Sequence, residues 1–342
     1  MITVKRTGLA GTLAAFWIIL AAIAAYNFAV RPWFLHWGTT EQEKTRALLG
    51  DDAWIGGTVS GTRAVTVQAP PEKVWPWIVQ IGQDRAGFYS YTWLENLLLA
   101  DIHNTYRVRP EWQARQAKDI IRSVKPGFMF GLVKEKDGYT GWKVSFVAPG
   151  QAMTLKNWGT FALEPTDAGG TRFLARSRAE KLPGVAGRLF GFWVLDAAHF
   201  IMEKRMMTEI RRLAEGRPGP PWWLQALATA GFAAAVAGSA LLIGSKKRRR
   251  ELWLLLPLFT AVIILQQTSD LRAALAGFTV LALTVIGFLY FGKRWWIYFG
   301  FLWIYSCAVL FLAADAWIVF GLVFLAAFAA LSAAALKGMS SR

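Results

Sequence analysis

Cysteine is almost absent. Cys307 stands alone in 342 residues, so no intramolecular disulfide can form and thiol usage assigns no redox compartment. Histidine is nearly as scarce: His36, His103 and His199 are scattered, and with one cysteine they offer no metal-ligand spacing. Neither a metal nor a cofactor is expected. Acids are also in short supply, 22 Asp+Glu against 38 Lys+Arg. That imbalance does not point to nucleic acid. Residues 31–217 hold 26 Lys+Arg and 19 Asp+Glu, and the rest of the chain holds 12 and 3. The surplus therefore sits mostly beside apolar runs, and no nucleic-acid-binding motif accompanies it. No charged residue falls near the middle of any expected span, which argues against an ion pump or channel, because such pathways usually need an intramembrane ionisable group.

What is abundant is apolar surface. Hydrophobic residues make up 55% of the chain, with 18 Trp and 23 Phe, too much for an ordinary soluble protein. The excess is gathered into runs: Leu9–Val30, Trp223–Gly244, Leu252–Gln267, Ala273–Phe291 and Trp295–Leu336. A bilayer takes roughly 20 residues of helix. The last run, at 1.5 Å per residue, would be about 63 Å of helix, so it reads as two spans turning at Asp315. The expected total is six spans, one before and five after a central domain. Leu9–Val30 has a rival reading as a secretory signal, but its apolar core is long for one and no small-residue cleavage site precedes Arg31-Pro32; an uncleaved anchor is expected.

Lysine and arginine set the orientation. With the N-terminus inside, segments 1–8, 245–251, 292–294 and 337–342 carry eleven bases and the short outer loops carry only Arg272. The positive-inside rule then puts both termini in the cytoplasm and the central domain on the far side of the plasma (inner) membrane. The cluster Lys246–Arg250 fixes topology and would also attract anionic lipid. The expected layout is an anchor over 1–30, a connector over 31–59, a domain over 60–216, a Pro-rich linker over 217–222 and a membrane region over 223–342.

Inside the domain the periodicities alternate. Thr62–Ala69 reads as a strand with Val65 and Val67 on its buried face. Pro70-Pro71-Glu72 opens a helix whose buried side holds Val74, Trp75, Ile78 and Ile81, with Pro76 kinking it or marking its true start. A short helix near Thr92–Leu99 follows. Strands are expected over Lys118–Ser123, Phe128–Glu135, Trp142–Val147, Met153–Glu164 and Thr171–Ala179, with a tight turn at Asp137-Gly138. From about Ala186 to Ala214 the spacing of Leu189, Phe192, Trp193, Phe200, Met207, Ile210 and Ala214 predicts one long amphipathic helix. Arg217-Pro218-Gly219-Pro220-Pro221 stops it. This is an α+β pattern, helices on one face of a curved antiparallel sheet.

The run RAVTVQAPPEKVWPWIVQIGQDRAGFYSYTWLENL, from Arg63 to Leu97, resembles the opening of START-like, polyketide-cyclase/dehydratase-type domains, the SRPBCC superfamily. Pro110–Gln113 (PEWQ) is also similar to a bacterial subgroup, as is Lys118-Asp119, where relatives often have Gly-Asp. The resemblance covers about residues 60–215. It implies a helix-grip fold, in which a curved sheet holds the long last helix over an apolar cavity. It implies no catalytic set, because the superfamily spans carriers, receptors, cyclases and ring-hydroxylase subunits without a shared one.

Candidate site residues follow from polar groups in apolar settings. Asp196 and Glu203, two helical turns apart, share a face with Phe200 and Trp193. A buried acid needs a partner, and Arg172, Arg176 and Arg178 share one face of the preceding strand. The acids are then either structural partners of those arginines, polar anchors for a ligand's head group, or a general acid/base. Tyr89, Tyr91 and Trp93 are either core packing or an aromatic wall facing ligand. His103, near Glu95 and Glu111, is the one weak catalytic candidate. The leading expectation is a membrane-tethered module that binds a hydrophobic, lipid-like small molecule. The alternatives are a cyclase/dehydratase-type enzyme using a pocket acid or His103, and a protein-interaction or sensing module whose protein partner the chain does not name. The bilayer itself is an expected partner.

Overall fold

The computed structural model describes residues 16–17, 20, 23–24, 26–97, 99–128, 140–219, 223, 226 and 230. The Asp137-Gly138 turn, nearly all of the strand expected over Phe128–Glu135, and the five later spans from residue 231 onward lie outside the described residues. The chain divides into two compact units, 1–217 and 218–342; the first is described here.

Unit 1 is α+β. After α1 (Arg31–Leu35) and α2 (Glu41–Thr45) come β1 (Thr58–Val67), α3 (Pro71–Val79) and α4 (Thr92–Leu97). Then follow β2 (Ile120–Arg122), β3 (Gly141–Ala148), β4 (Ala152–Leu155), β5 (Gly159–Pro165) and β6 (Thr171–Ala179). The last element is α5, a helix over Gly184–Ala214 in which Gly191–Leu195 make a π-helical turn. The six strands form one antiparallel sheet in the order β1-β6-β5-β4-β3-β2. Strands β2 to β6 are a meander, and β1 closes onto β6 with Val65 opposite Phe173 and Arg63 opposite Ala175. Register shifts at Val59/Gly61 and Val144/Phe146 bend β1 and β3, as bulges do.

Proline opens α3 at its first turn, where the missing N–H had no partner to lose. The helix runs on through Pro76, so Pro76 marks neither its start nor its end. Val74, Trp77 and Ile78 bury against the sheet, while Trp75 is only half-buried. The strand expected over Met153–Glu164 is two strands. Asn157 turns the chain at φ +64 and Gly159 follows at φ +130, where a Cβ would sit 1.8 Å from the Arg176 carbonyl; only glycine fits there.

Both faces of the sheet are covered, which the sequence pattern did not suggest. On one face Val65, Val67, Phe161, Phe173, Met207 and Ile210 join sheet, α3 and the second half of α5 in the main core. On the other face the connector packs down, placing Leu48 against Ala64, Ala162 and Leu174. Thr40 and Glu43 cap α2 reciprocally. Glu43 then receives two hydrogen bonds of 2.7 Å from Arg172, and these outweigh its burial and hold its carboxyl down at about 2. Arg176 meets Asp51 at 2.5 Å and donates to the carbonyls of Glu43 and Arg46. Arg172 and Arg176 thus share a face as expected, but it is the face away from α5. They anchor the connector and do not reach Asp196 or Glu203.

Helix α5 has two characters. From Ala197 onward its apolar stripe is core: Phe200, Met207 and Ile210 are fully buried. Before that the stripe faces outward. Val185 is 65% exposed and Leu189 54%, and Phe190, Val194 and Leu195 are also exposed. The expectation that Leu189 and Trp193 lie on a buried face is corrected. α5 is, among the described residues, the one helix long and apolar enough to cross a membrane. Its second half, however, carries the buried Glu203, Lys204 and Glu209 inside the domain.

Candidate functional site

A cavity of about 950 Å³ lies between α5, the sheet and the loops after α3 and β2. Phe88, Ile102, Val124, Trp142, Trp158 and Met206 line it with apolar surface. Phe88, Trp142 and Trp158 make a continuous aromatic wall, with ring centroids 5.8 Å apart for both Phe88 pairs and 4.3 Å for the two tryptophans. The rim includes Lys181, Leu182, Arg188 and Leu195, all exposed. The cavity therefore opens beside the outward-facing apolar half of α5.

One polar cluster closes the inner side. Arg63, on the core face of β1, is 1% exposed. Its Nε donates to the Phe34 carbonyl at 2.9 Å, and Nη1 donates to Ser177 Oγ at 3.1 Å and to Glu203. Trp158 Nε1 donates to Glu203 Oε1 at 2.9 Å, and His199 Nε2 lies 3.2 Å from the same oxygen. Burial works against the Glu203 charge, but Arg63, His199 and Trp158 prevail and hold the carboxyl at about 2. A carboxylate so fully occupied ties helix to sheet and has no lone pair free to take up a proton. The structural-pair reading of Glu203 is the one the geometry supports, with Arg63 as partner in place of the β6 arginines. Ser177, His199 and Glu203 do not form a nucleophilic triad. Both Ser177 Oγ and Glu203 approach the same ring nitrogen, Nε2, each at 3.2 Å, whereas activation needs the two nitrogens to serve different partners.

The other expected residues fall in several places. Asp196 lies at the rim, paired with Arg31 at 2.5 Å, which links α1 to α5. Phe200 is core, stacked on Phe34 at 5.4 Å, and does not line the cavity. Trp193 stacks on Tyr26 at 4.4 Å, outside it. Arg176 is on the opposite sheet face. Tyr89 and Tyr91 are buried behind the cavity wall; Tyr89 is held through Gln80 Nε2 at 2.6 Å and through its N–H to Asn104 Oδ1. Burial raises both phenols, Tyr91 to about 12, so neither exchanges a proton near neutrality. Trp93 lies on α4. Of the two readings of this loop, core packing holds for Tyr89 and Tyr91, while Phe88 and Ser90 line the cavity. His103 has a side chain 79% exposed, bonded to Asp101 at 3.0 Å, away from the cavity. Among the described residues no three His, Cys, Asp or Glu side chains converge as metal ligands would.

One residue was passed over. Glu95 on α4 lines the cavity and is 8% exposed. The signal that singled out Asp196 and Glu203, an acid inside an apolar stretch, applies equally to Trp93-Leu94-Glu95-Asn96-Leu97. Comparison of the chain with family models, with characterised proteins and with solved structures finds no match.

Proposed function

We propose that unit 1 is a helix-grip, START-like domain that holds a hydrophobic, lipid-like small molecule in its cavity, and that the chain tethers it to a membrane. The carrying observation is the cavity itself. Its 950 Å³ is at the upper end of the range that encloses small ligands, its walls are largely apolar, and a single satisfied polar cluster closes its inner side. The order strand, helices, antiparallel meander and long last helix supports the fold assignment, as do the residues from Arg63 to Leu97.

The membrane reading rests on where the apolar surface lies. Phe16, Trp17, Leu20, Ile23 and Phe28 of the anchor are exposed, and so are Val185, Leu189, Phe190 and Val194 of α5. Anchor and α5 are joined by the Tyr26–Trp193 stack and by the Tyr26 hydroxyl, which donates to the Phe192 carbonyl at 2.8 Å. Surface of this extent is expected to be covered by lipid. The cavity rim adjoins it, so the bilayer is the natural source of the ligand. The six spans, the cytoplasmic termini and the extracytoplasmic position of the domain in the plasma membrane are part of the same proposal.

The test uses the full chain, purified in mild detergent, extracted with organic solvent and analysed by mass spectrometry. Met202 lines the cavity from α5, so Met202→Trp projects a larger side chain into it and narrows it. A discrete lipid-like species should accompany the wild-type protein and be depleted in Met202→Trp. Equal lipid profiles in both would refute the proposal.

A further inference from the structure

Most buried acids in unit 1 have an arginine partner: Glu43 has Arg172, Asp51 has Arg176, Glu203 has Arg63, and Glu209 has Arg205 and Arg212. Glu95 has none. Its Oε2 is fully buried and makes no hydrogen bond among the described residues, although the residue is more than nine-tenths buried. A buried polar group without a partner costs about 1–3 kcal/mol, and such a group calls for a reason. This one sits on the wall of the cavity, which Ser90 also lines, its own hydroxyl engaged with Met202 sulfur at 3.2 Å. Burial alone, with no charge assisting, pushes the Glu95 carboxyl up to about 8. At neutral pH the side chain is therefore a carboxylic acid, with an O–H to donate.

We infer that Glu95 is the recognition group of the cavity, donating a hydrogen bond to the carbonyl or hydroxyl oxygen of an uncharged amphiphile whose hydrocarbon part lies against Phe88, Trp142 and Trp158. This rests on the reading of the cavity as a ligand site. An anionic ligand is disfavoured, because loss of the Glu95 proton would set two negative charges side by side in a buried site. A cationic ligand would require the charged carboxylate, which the surroundings oppose. The other charged groups around the cavity are already committed or distant. Arg63, Glu203 and His199 serve one another, Arg31 and Asp196 pair, and Glu180, Lys181 and Arg188 stand exposed.

Three matched probes separate the possibilities: methyl pyrenebutanoate, pyrenebutanoate and pyrenebutyl-trimethylammonium, titrated into the full-length protein in nanodiscs. The readout is the saturable part of energy transfer from tryptophan to pyrene, the linear part being partition into the bilayer. The wild type should prefer the ester, whose carbonyl can only accept, and its affinity should fall roughly tenfold between about pH 7 and 9 as an acid titrating near 8 loses its proton. Glu95→Gln keeps a donor, so it should bind the ester within about threefold of wild type and lose the pH dependence. Glu95→Leu should bind about tenfold more weakly, the worth of one hydrogen bond. Three results would overturn the inference: preference for the ammonium probe with its loss in Glu95→Gln, unchanged affinity in Glu95→Leu, or a pH dependence that persists in Glu95→Gln and so belongs to another group. No saturable binding of any probe by the wild type would instead sink the cavity reading itself.

Discussion

Replacing Arg63 by methionine isolates the most consequential buried contact in the domain. Arg63 serves the Glu203 carboxylate, the Ser177 hydroxyl and the Phe34 carbonyl together, and Arg63 and Glu203 are almost wholly buried. Arg63→Met leaves Glu203 buried with only Trp158, His199 and Ser177 beside it. Removing one member of a buried pair costs about 3–5 kcal/mol, because the surviving charge loses its compensation. The carboxyl's own displacement gives a second scale. Going from 4.5 to about 2, at about 1.4 kcal/mol per pH unit, is about 3 kcal/mol of preference for the charged form. A depressed carboxyl contributes its stability above the unfolded value, and that contribution is lost as pH falls through the folded one. The Arg63→Met deficit should therefore be full at pH 7 and shrink between pH 4.5 and about 2. The double variant Arg63→Met/Glu203→Leu removes both charges and should recover most of the loss. Urea unfolding of the full chain in nanodiscs, followed by tryptophan fluorescence, measures all three. A single variant within about 0.5 kcal/mol of wild type, the range of an ordinary surface change, would refute the reasoning. So would a double variant no better than the single.

The same assay tests Glu95. Its raised value means that stability is greatest below 4.5 and falls as pH rises towards 8; at pH 7 the deficit is about 3 kcal/mol. Glu95→Gln should therefore stabilise the domain at pH 7, and the gain should vanish below pH 4.5. Cys307 is the sole cysteine, so a Cys307→Ser background allows site labelling. An environment-sensitive fluorophore on Leu189→Cys should emit as in hydrocarbon and be quenched by lipid-borne quenchers; water-like emission would mean that this half of α5 does not meet the bilayer. His103→Cys should react with a membrane-impermeant maleimide in intact cells, and failure to label before lysis, with labelling after, would reverse the proposed sidedness. Neither His103→Cys nor His103→Ala should alter probe binding.

Much of the architecture was legible because periodicity reports burial locally. The alternation of Val65 and Val67 marked β1, Pro70-Pro71 marked the start of α3, and the 3.6-residue recurrence of Phe200, Met207 and Ile210 marked α5. Thr171–Ala179 was read with its bounds correct. The errors have a common cause. Leu189 and Trp193 continue the apolar stripe of α5, but a stripe states only that water is avoided, not what covers it. Here the sheet covers one half of the helix and leaves the other half bare. Likewise the alternation of Arg172 and Arg176 placed them together correctly without saying which face they were on.

The amino-acid sequence alone determined most strands and helices of the domain and their order, the location of the apolar runs and the presence of acids in apolar company, since each depends on neighbours within one or two turns of chain. Which acid meets which base was decided only by the tertiary structure. Arg63 reaches Glu203 across 140 residues, Arg172 reaches Glu43 across 129, and Glu95 reaches no base among the described residues. Such pairings depend on the register of β1 against β6 and on how the connector folds back over the sheet. Those are contacts between distant segments, and local spacing carries no record of them.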